Sequence, residues 1–282
     1  MPRANIAVRP ITPLIGAEIE GVDLARPLDP ETLEDVKEAL LKHLVVFFRD
    51  QDITPAGQVA FARQLGEIEP PHPVFGKVPE CPEVTIVEQK GREGIYNDEW
   101  HTDVTFRKNP AMASILVGRI IPEVGGDTLW SSMYAAYDAL SEPMKRLVEG
   151  LSAVHDITEG FGDIVSSKEG LAKLRAMQEK FPPVVHPVVR THPVTGKRAL
   201  FVNRSFTTRL LGVTKIESEH LLEMLLRHAE QSGFQMRFRW QKNSVAVWDN
   251  RCTQHFAAGD FAPHHRLMHR VTVVGDEPYF RA

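Results

Sequence analysis

The sequence contains little cysteine and lacks several patterns that identify common protein classes. Only two of its 282 residues are cysteines, Cys81 and Cys252, which excludes a disulfide framework and is typical of a reduced, cytoplasmic protein. No apolar run approaches the roughly 20 residues that cross a bilayer, and the N-terminus lacks the apolar segment of a signal peptide. The net charge of -4 comes with no long basic run, so we expect neither a nucleic-acid nor a membrane partner. The absence of a GxGxxG or Walker pattern excludes the commonest nucleotide-cofactor sites.

The composition is that of a folded protein, with 43% hydrophobic and 25% charged residues. The twenty prolines are scattered between elements rather than gathered in a linker, which indicates one domain over residues 1–282. Short strands are numerous and parallel βαβ units are few. The pattern therefore predicts an α+β, β-rich fold, an antiparallel jelly roll (double-stranded β-helix) with helices outside it.

Individual elements can be placed from local signals. Asp29-Pro30 and Thr54-Pro55 each predict a helix start, with the first residue as N-cap and proline at the first helical position. The apolar run Leu44–Phe48 is typical of a buried strand. Alternating large apolar residues over 234–240 predict a half-buried strand, and the following Lys242-Asn243 turn predicts that this strand forms a hairpin with residues 244–248.

One short motif carries metal-binding chemistry. His101 and Asp103 are two residues apart, so in an extended segment both side chains point to the same side and can bind one ion. With a distant third ligand such as His255 they form a 2-His-1-carboxylate facial triad, which leaves one face of the metal open. Ligands without a thiolate suit Fe(II), Mn or Zn. Taken alone, His-X-Asp is a weak signal that also fits a surface histidine and a helix-capping aspartate.

The segments around the motif strengthen it. The sequence resembles the TauD/TfdA family of Fe(II)- and 2-oxoglutarate-dependent dioxygenases, most of all its taurine dioxygenases, over nearly the whole chain. The pattern of that family is a His-X-Asp, a threonine some two dozen residues later, a distal histidine and an arginine about eleven positions further on. Here Thr128 follows Asp103 by 25 positions and Arg266 follows His255 by 11. The resemblance is carried by Asn97 to Phe106, Gly125 to Trp130, His186 to Pro193, Phe201 to Asn203, Phe206 to Arg209, Trp248 to His255 and Met268 to Arg270.

The resemblance implies a cofactor and a role for each matching residue. His101, Asp103 and His255 would bind Fe(II). Arg266 and Thr128 would hold the distal carboxylate of 2-oxoglutarate, and O2 would be the second co-substrate. A planar guanidinium is suited to bidentate capture of a carboxylate.

The resemblance also implies an anionic substrate, a sulfonate such as taurine. Oxidation of the carbon next to the sulfonate would release sulfite and an aldehyde, with succinate and CO2. The matching substrate-binding residues are His72, Asn97, Val104 through its backbone N–H, Phe206 and Arg270. Relatives that form dimers and tetramers imply a homo-oligomer.

Two positions depart from the taurine pattern. Phe75 stands where a tyrosine is expected, and Glu99 stands where an asparagine is expected. Loss of a polar contact in a pocket discriminates against a polar substrate. Alternatives are therefore the same chemistry on an alkyl sulfate ester or an aryloxyalkanoate. A zinc hydrolase and a non-catalytic jelly-roll binding module are further alternatives, although the zinc hydrolase leaves Thr128 and Arg266 without a role.

Overall fold

The computed structural model describes residues 6–70, 75–91, 99–158 and 168–282. The α-helices in these ranges are α1 (Pro30–His43), α2 (Pro55–Leu65), α3 (Met133–Asp138), α4 (Glu142–Val148), α5 (Lys168–Lys180) and α6 (Lys215–Ala229). The strands are β1 (Ala7–Pro10), β2 (Ala17–Glu20), β3 (Val45–Phe48), β4 (Gly76–Val78), β5 (Cys81–Gln89), β6 (Ala113–Ile120), β7 (Thr128–Ser132), β8 (Ser152–His155), β9 (Val184–Pro187), β10 (Val189–Thr191), β11 (Arg198–Leu200), β12 (Thr207–Leu211), β13 (Gln235–Phe238), β14 (Val245–Asp249), β15 (Thr253–Ala257) and β16 (Arg266–Val273). None of the helices in these ranges is long and apolar enough to cross a membrane.

Two sheets form the core of the fold. The major sheet has eight strands in the order β1-β2-β3-β14-β6-β16-β5-β4, and the minor sheet has three in the order β13-β7-β15. Neighbouring strands in both sheets are antiparallel apart from the parallel pair β2 and β3. This is the predicted jelly roll, and the prediction is confirmed.

The buried strand β3 shows how the layers are held together. Its successive side chains point to opposite faces of the major sheet. Phe47 packs toward the minor sheet, where it stacks on Phe238 at 3.9 Å and meets the edge of Trp130 at 5.3 Å between ring centroids. Val46 and Phe48 point the other way, into a second buried cluster that includes apolar residues of α1 and α2. Because both faces of β3 are covered, every position of the strand is apolar and its sequence does not alternate with polar residues.

The two outer helices begin where the sequence predicts. Asp29 caps α1 by accepting hydrogen bonds from the backbone N–H groups of Glu31 and Thr32. Thr54 caps α2 by accepting from the N–H of Gly57 at 3.1 Å. Each cap satisfies backbone donors that have no partner within the helix.

The predicted hairpin at Lys242-Asn243 is wrong. The strand before it, β13, pairs with β7 in the minor sheet, whereas β14 after it pairs with β3 and β6 in the major sheet. The turn itself exists, with Asn243 at φ 62° and its N–H donating to the carbonyl of Gly118, but it carries the chain from one sheet to the other. Alternation of apolar residues shows which face of a strand is buried and says nothing about its partner.

Candidate metal centre

The two predicted histidine ligands lie opposite each other in a short stretch of antiparallel pairing. His255 is on β15, and His101 lies in the segment that precedes β6. The N–H of His101 donates to the carbonyl of His255 at 3.0 Å, and the N–H of His255 donates back at 2.8 Å. Their ring centroids are 4.1 Å apart. Main-chain hydrogen bonds therefore set the distance between the two imidazoles.

Asp103 completes the group. One ligand atom from each of His101, Asp103 and His255 lies within 4.8 Å of the other two, and all three residues are buried. Two imidazole nitrogens and one carboxylate oxygen, without a thiolate, suit a divalent metal such as Fe(II). The structure thus brings together the three residues that the sequence predicted as metal ligands.

The electrostatics of the group suit metal binding. Burial lowers the pKa of His101 and places that of His255 well below its ordinary value, so both imidazoles are neutral near pH 7. Burial alone would raise the pKa of Asp103, but the guanidinium of Arg270 and the hydrogen bond from the Ser114 hydroxyl hold it below its usual range. His101 Nδ1 lies 2.8 Å from the carbonyl oxygen of Glu99, which directs the Nε2 lone pair of a neutral ring toward a metal.

Arg266 lies at the other end of the same site. It is buried, and its Nε donates to the carbonyl of Gly126 at 3.1 Å. Its Nη2 lies 3.4 Å from Thr128 Oγ1, which also accepts from Trp240 Nε1 at 2.9 Å. Burial lowers the pKa of Arg266 to about 10, and among the described residues no carboxylate lies within 4.0 Å of its guanidinium. A buried cation that no carboxylate of the described residues contacts marks a place for an anionic ligand.

A cavity extends from His101 and His255 to Arg266. The residues that line it are Val87, His101, Leu116, Thr128, Trp248, His255, Ala257, Arg266 and Arg270. Thr128 and Arg266, predicted as a pair, therefore face the same space as the two histidines.

Arg270, a predicted substrate-binding residue, contacts one of the metal ligands directly. Its Nη1 donates to Asp103 Oδ1 at 2.8 Å, and its guanidinium lies 5.5 Å from the centre of the Phe75 ring. Its Nε is buried and has no hydrogen-bond partner among the described residues. This donor is available to a bound anion.

Val104 and Phe206 form an apolar region next to Asp103. Val104 has φ 50°, in the left-handed region that a β-branched residue rarely adopts. Such a conformation persists only when the surrounding structure holds it, and it is concentrated at functional sites. Val104 packs in one buried cluster with Phe206 and Phe106, whose rings meet edge to face at 5.1 Å. The other two predicted substrate-binding residues, His72 and Asn97, lie outside the described residues.

A second group of residues of metal-binding types has a structural role instead. His192, Asp249 and Cys252 also place ligand atoms within 4.8 Å of one another. However, Asp249 Oδ2 is bonded to Arg251 at 2.7 Å and to His192 at 3.0 Å, and Oδ1 accepts from Arg251 Nε. Burial raises the pKa of Cys252 well above its ordinary value, so it remains a thiol. An ion pair with Arg251 already satisfies this carboxylate.

Sequence reasoning missed the residues that support Asp103. Ser114 on β6 donates to Asp103 Oδ2 at 2.6 Å, and Asn250 donates to Ser114 Oγ at 2.9 Å. Their only sequence signal is polarity in an apolar setting. Ser114 lies within the strand sequence ASILV, and Asn250 directly follows VAVWD.

Comparisons with known proteins agree with this geometry. The family model described as "Taurine catabolism dioxygenase TauD, TfdA family" matches residues 7–272. An α-ketoglutarate-dependent sulfate ester dioxygenase of Pseudomonas putida is 38% identical over 283 residues, which cover 97% of this chain and 91% of the relative. An alkylsulfatase of Acinetobacter baylyi is 36% identical and covers 98% of this chain and 87% of its own. The crystal structure of a taurine dioxygenase from Burkholderia xenovorans superposes with a TM-score of 0.84 at 42% identity, covering 98% of this chain and 91% of that one.

The residues present fit the cofactor and co-substrate of that family. Two imidazoles and a carboxylate suit Fe(II), and the unpaired guanidinium of Arg266 beside Thr128 suits the carboxylate of 2-oxoglutarate, which is the same compound as α-ketoglutarate. The chain therefore belongs to the TauD, TfdA family of Fe(II)- and 2-oxoglutarate-dependent dioxygenases, which use O2 as the second co-substrate.

Proposed function

We propose that the protein oxidises the carbon that carries the sulfate group of an alkyl sulfate ester, releasing an aldehyde and sulfate. In this proposal His101, Asp103 and His255 hold Fe(II), and Arg266 with Thr128 holds 2-oxoglutarate. Arg270 and the backbone N–H of Val104 bind the sulfo oxygens, with His72 as a further contact. Phe206 contacts the rest of the substrate, and the role of Asn97, which lies outside the described residues, stays a prediction.

The 2-oxoglutarate part of the proposal rests on Arg266. Its guanidinium is buried at the end of the cavity that His101 and His255 line, with no carboxylate partner among the described residues. A dicarboxylic acid that reaches from the metal to this guanidinium supplies the missing negative charge. The Thr128 hydroxyl uses both lone pairs to accept from Trp240 and Arg266, so its own proton is available for the same carboxylate.

The single observation that carries the substrate class is the buried Nε of Arg270, which lies beside a metal ligand and has no hydrogen-bond partner among the described residues. A guanidinium suits an oxyanion, and a tetrahedral sulfo group offers three oxygens to it and to a backbone N–H. The ring of Phe75 covers one side of this guanidinium, and Val104 and Phe206 are apolar. We expect the part of the substrate that lies against these three side chains to be a hydrocarbon.

The protein residues position and shield the reacting groups. Once bound, the iron with 2-oxoglutarate and O2 supplies the oxidant that inserts one oxygen atom into a C–H bond. Arg270 fixes the sulfo end of the substrate next to Asp103, so the adjacent carbon is the one nearest the metal. The resulting α-hydroxylated ester breaks its C–O bond to give the aldehyde and sulfate, while 2-oxoglutarate becomes succinate and CO2.

The test is a substrate panel with product analysis. The protein is supplied with Fe(II), ascorbate, 2-oxoglutarate and air, together with hexyl sulfate, hexanesulfonate or taurine. We expect hexyl sulfate to give equal amounts of succinate, hexanal and sulfate. Asp103→Ala should abolish all three products, and His220→Ala, at an exposed histidine on α6, should not change them. Full turnover by Asp103→Ala would refute the assigned metal site.

A sulfonate is the second candidate, because the same guanidinium accepts either head group and the superposed Burkholderia structure is a taurine dioxygenase. Sulfonate oxidation releases sulfite instead of sulfate, so the products separate the two. Among the described residues, Phe75, Val104 and Phe206 offer no polar partner to the ammonium group of taurine, and we expect hexanesulfonate to react faster than taurine. An aryloxyalkanoate would give succinate and a phenol without sulfate or sulfite. Absence of succinate with every compound would favour a non-catalytic module.

A further inference from the structure

A chain of hydrogen bonds leads from the core to the metal-binding carboxylate. Trp248 Nε1 donates to Asn250 Oδ1 at 2.9 Å, and Asn250 Nδ2 donates to Ser114 Oγ at 2.9 Å. Ser114 Oγ donates to Asp103 Oδ2 at 2.6 Å. All four side chains are buried, with Ser114 completely enclosed.

The direction of this chain is fixed at its first step. An indole N–H can only donate, so the side-chain oxygen of Asn250 must face Trp248 and its NH₂ group must face Ser114. The backbone N–H of Asp103, 3.4 Å from the same oxygen, agrees with this orientation. Since Ser114 Oγ accepts from Asn250, its single proton is left for Asp103. No alternative rotamer of the hydroxyl satisfies both neighbours.

The carboxylate of Asp103 is therefore held at both oxygens. Ser114 bonds Oδ2, and Arg270 Nη1 bonds Oδ1 at 2.8 Å. Rotation of the carboxylate about its Cβ–Cγ bond would break one or both of these bonds. Each oxygen keeps a further lone pair, and the two donors determine where those lone pairs point.

We infer that Ser114 and Asn250 are positioning residues that orient the Asp103 carboxylate toward His101 and His255. The inference rests on the proposed role of Asp103 as a metal ligand. Neither residue lines the cavity that His101, His255 and Arg266 share. They act through Asp103, and their loss allows the carboxylate to turn away from the direction in which the two imidazoles point. Groups that hydrogen-bond a metal ligand typically change metal affinity by about 10–100-fold when they are removed.

Two variants interrupt the chain in different ways. Ser114→Ala removes the proton that Asp103 accepts. Asn250→Asp keeps the size and shape of the side chain but replaces the NH₂ group that faces Ser114 with an oxygen. The Ser114 hydroxyl then donates its proton to this new oxygen, and its hydrogen bond to Asp103 is lost. Ser131→Ala is the matched control, because Ser131 is an equally buried strand serine whose hydroxyl donates to the carbonyl of Ala229 at 2.8 Å, away from Asp103.

The measurement is the Kd of Mn(II), followed by the electron paramagnetic resonance signal of the free ion, without 2-oxoglutarate or substrate. We expect the Kd to rise about 10–100-fold in Ser114→Ala and Asn250→Asp, and to change less than about 2-fold in Ser131→Ala. Urea unfolding of the metal-free proteins separates loss of metal affinity from loss of fold. A merely structural role predicts that Ser114→Ala and Ser131→Ala lower stability alike and leave the Kd unchanged.

The outcomes distinguish this inference from the proposed function. Wild-type affinity in a folded Ser114→Ala or Asn250→Asp protein overturns the positioning role and leaves the proposed reaction standing. If Ser114→Ala does not fold, Asn250→Asp decides the question, because it removes no atoms from the core. If the wild-type protein itself binds no Mn(II), the metal site and the positioning role both fail.

Discussion

Replacing Arg266 by methionine should change stability and ligand affinity in opposite directions. In the ligand-free protein the Arg266 guanidinium is buried, and burial lowers its pKa from 12.5 to about 10. A shift of that size corresponds to about 3 kcal/mol of unfavourable free energy for the charged form. The bonds to Gly126 and Thr128 offset about 2 kcal/mol of it, at about 1 kcal/mol each. We therefore expect ligand-free Arg266→Met to be more stable than the wild type by about 1 kcal/mol.

Affinity for 2-oxoglutarate should fall in the same variant. Loss of one partner from a buried, charge-assisted pair costs about 3 kcal/mol, which is about 100-fold in Kd. Isothermal titration of 2-oxoglutarate into the Mn(II)-loaded protein measures this change, and urea unfolding of the metal-free protein measures stability. Arg119→Met is the control, because Arg119 is a half-buried arginine outside the cavity whose pKa is also lowered by burial.

Two results would contradict this reasoning. Unchanged 2-oxoglutarate affinity in Arg266→Met would remove Arg266 from the co-substrate site. A loss of stability in the ligand-free variant would mean that a counter-ion for the guanidinium already exists within the protein. An equal loss of 2-oxoglutarate affinity in Arg119→Met would show that the effect is not specific to the cavity.

Three further predictions concern the fold. Gly275→Ala places a Cβ 2.1 Å from the carbonyl oxygen of Pro110, so its free energy of unfolding in urea should be about 3 kcal/mol lower than that of the wild type. In the control Gly233→Ala the new Cβ meets nothing within 4 Å, and the free energy of unfolding should hardly change. Burial raises the pKa of Glu69 to about 7, so the folded protein holds this proton more tightly than the unfolded chain does. Relative to Glu69→Gln, the stability of the wild type should therefore fall by about 3 kcal/mol as pH rises from 4.5 to 7, and then level off. Urea midpoints of the two proteins that change in parallel between pH 5 and pH 8 would refute this. Asp29→Ala removes the cap of α1 and should cost about 1 kcal/mol, measured as a lower urea midpoint.

The parts of the fold that the sequence predicts are those set by local interactions. The starts of α1 and α2 follow from an N-cap residue followed by proline, and both are confirmed. The buried strand β3 follows from its apolar run. The hairpin after β13 was predicted wrongly, because pairing between strands depends on residues far away in sequence: β13 bonds to β7, about a hundred positions earlier along the chain. The strands β8 to β12 have only three to five residues each, too few for periodicity to detect.

In the candidate site, some residues were predicted from the sequence and others were not. The facial triad and the Arg266–Thr128 pair were identified from spacing within a family resemblance, and the structure places all five in or beside one cavity. The roles of the substrate-binding residues stay predictions. Ser114 and Asn250 were not predicted, because a buried polar residue gives no sign in the sequence of which group it bonds. That information exists only once the strands β6 and β14 lie side by side.

The reciprocal hydrogen bonds between His101 and His255 make the spacing of two ligands a property of the backbone rather than of the ion. The metal-free protein already holds the main chain of both ligands in place, so loading should proceed as simple binding to a formed site, and a chelator should strip the ion reversibly without unfolding the chain. The same rigidity limits selectivity. Divalent ions of similar size fit a fixed pair of imidazoles about equally well, and their intrinsic affinities favour copper and zinc over iron. Which ion occupies the protein in a cell is then decided by supply, and zinc or copper at excess should displace the active metal.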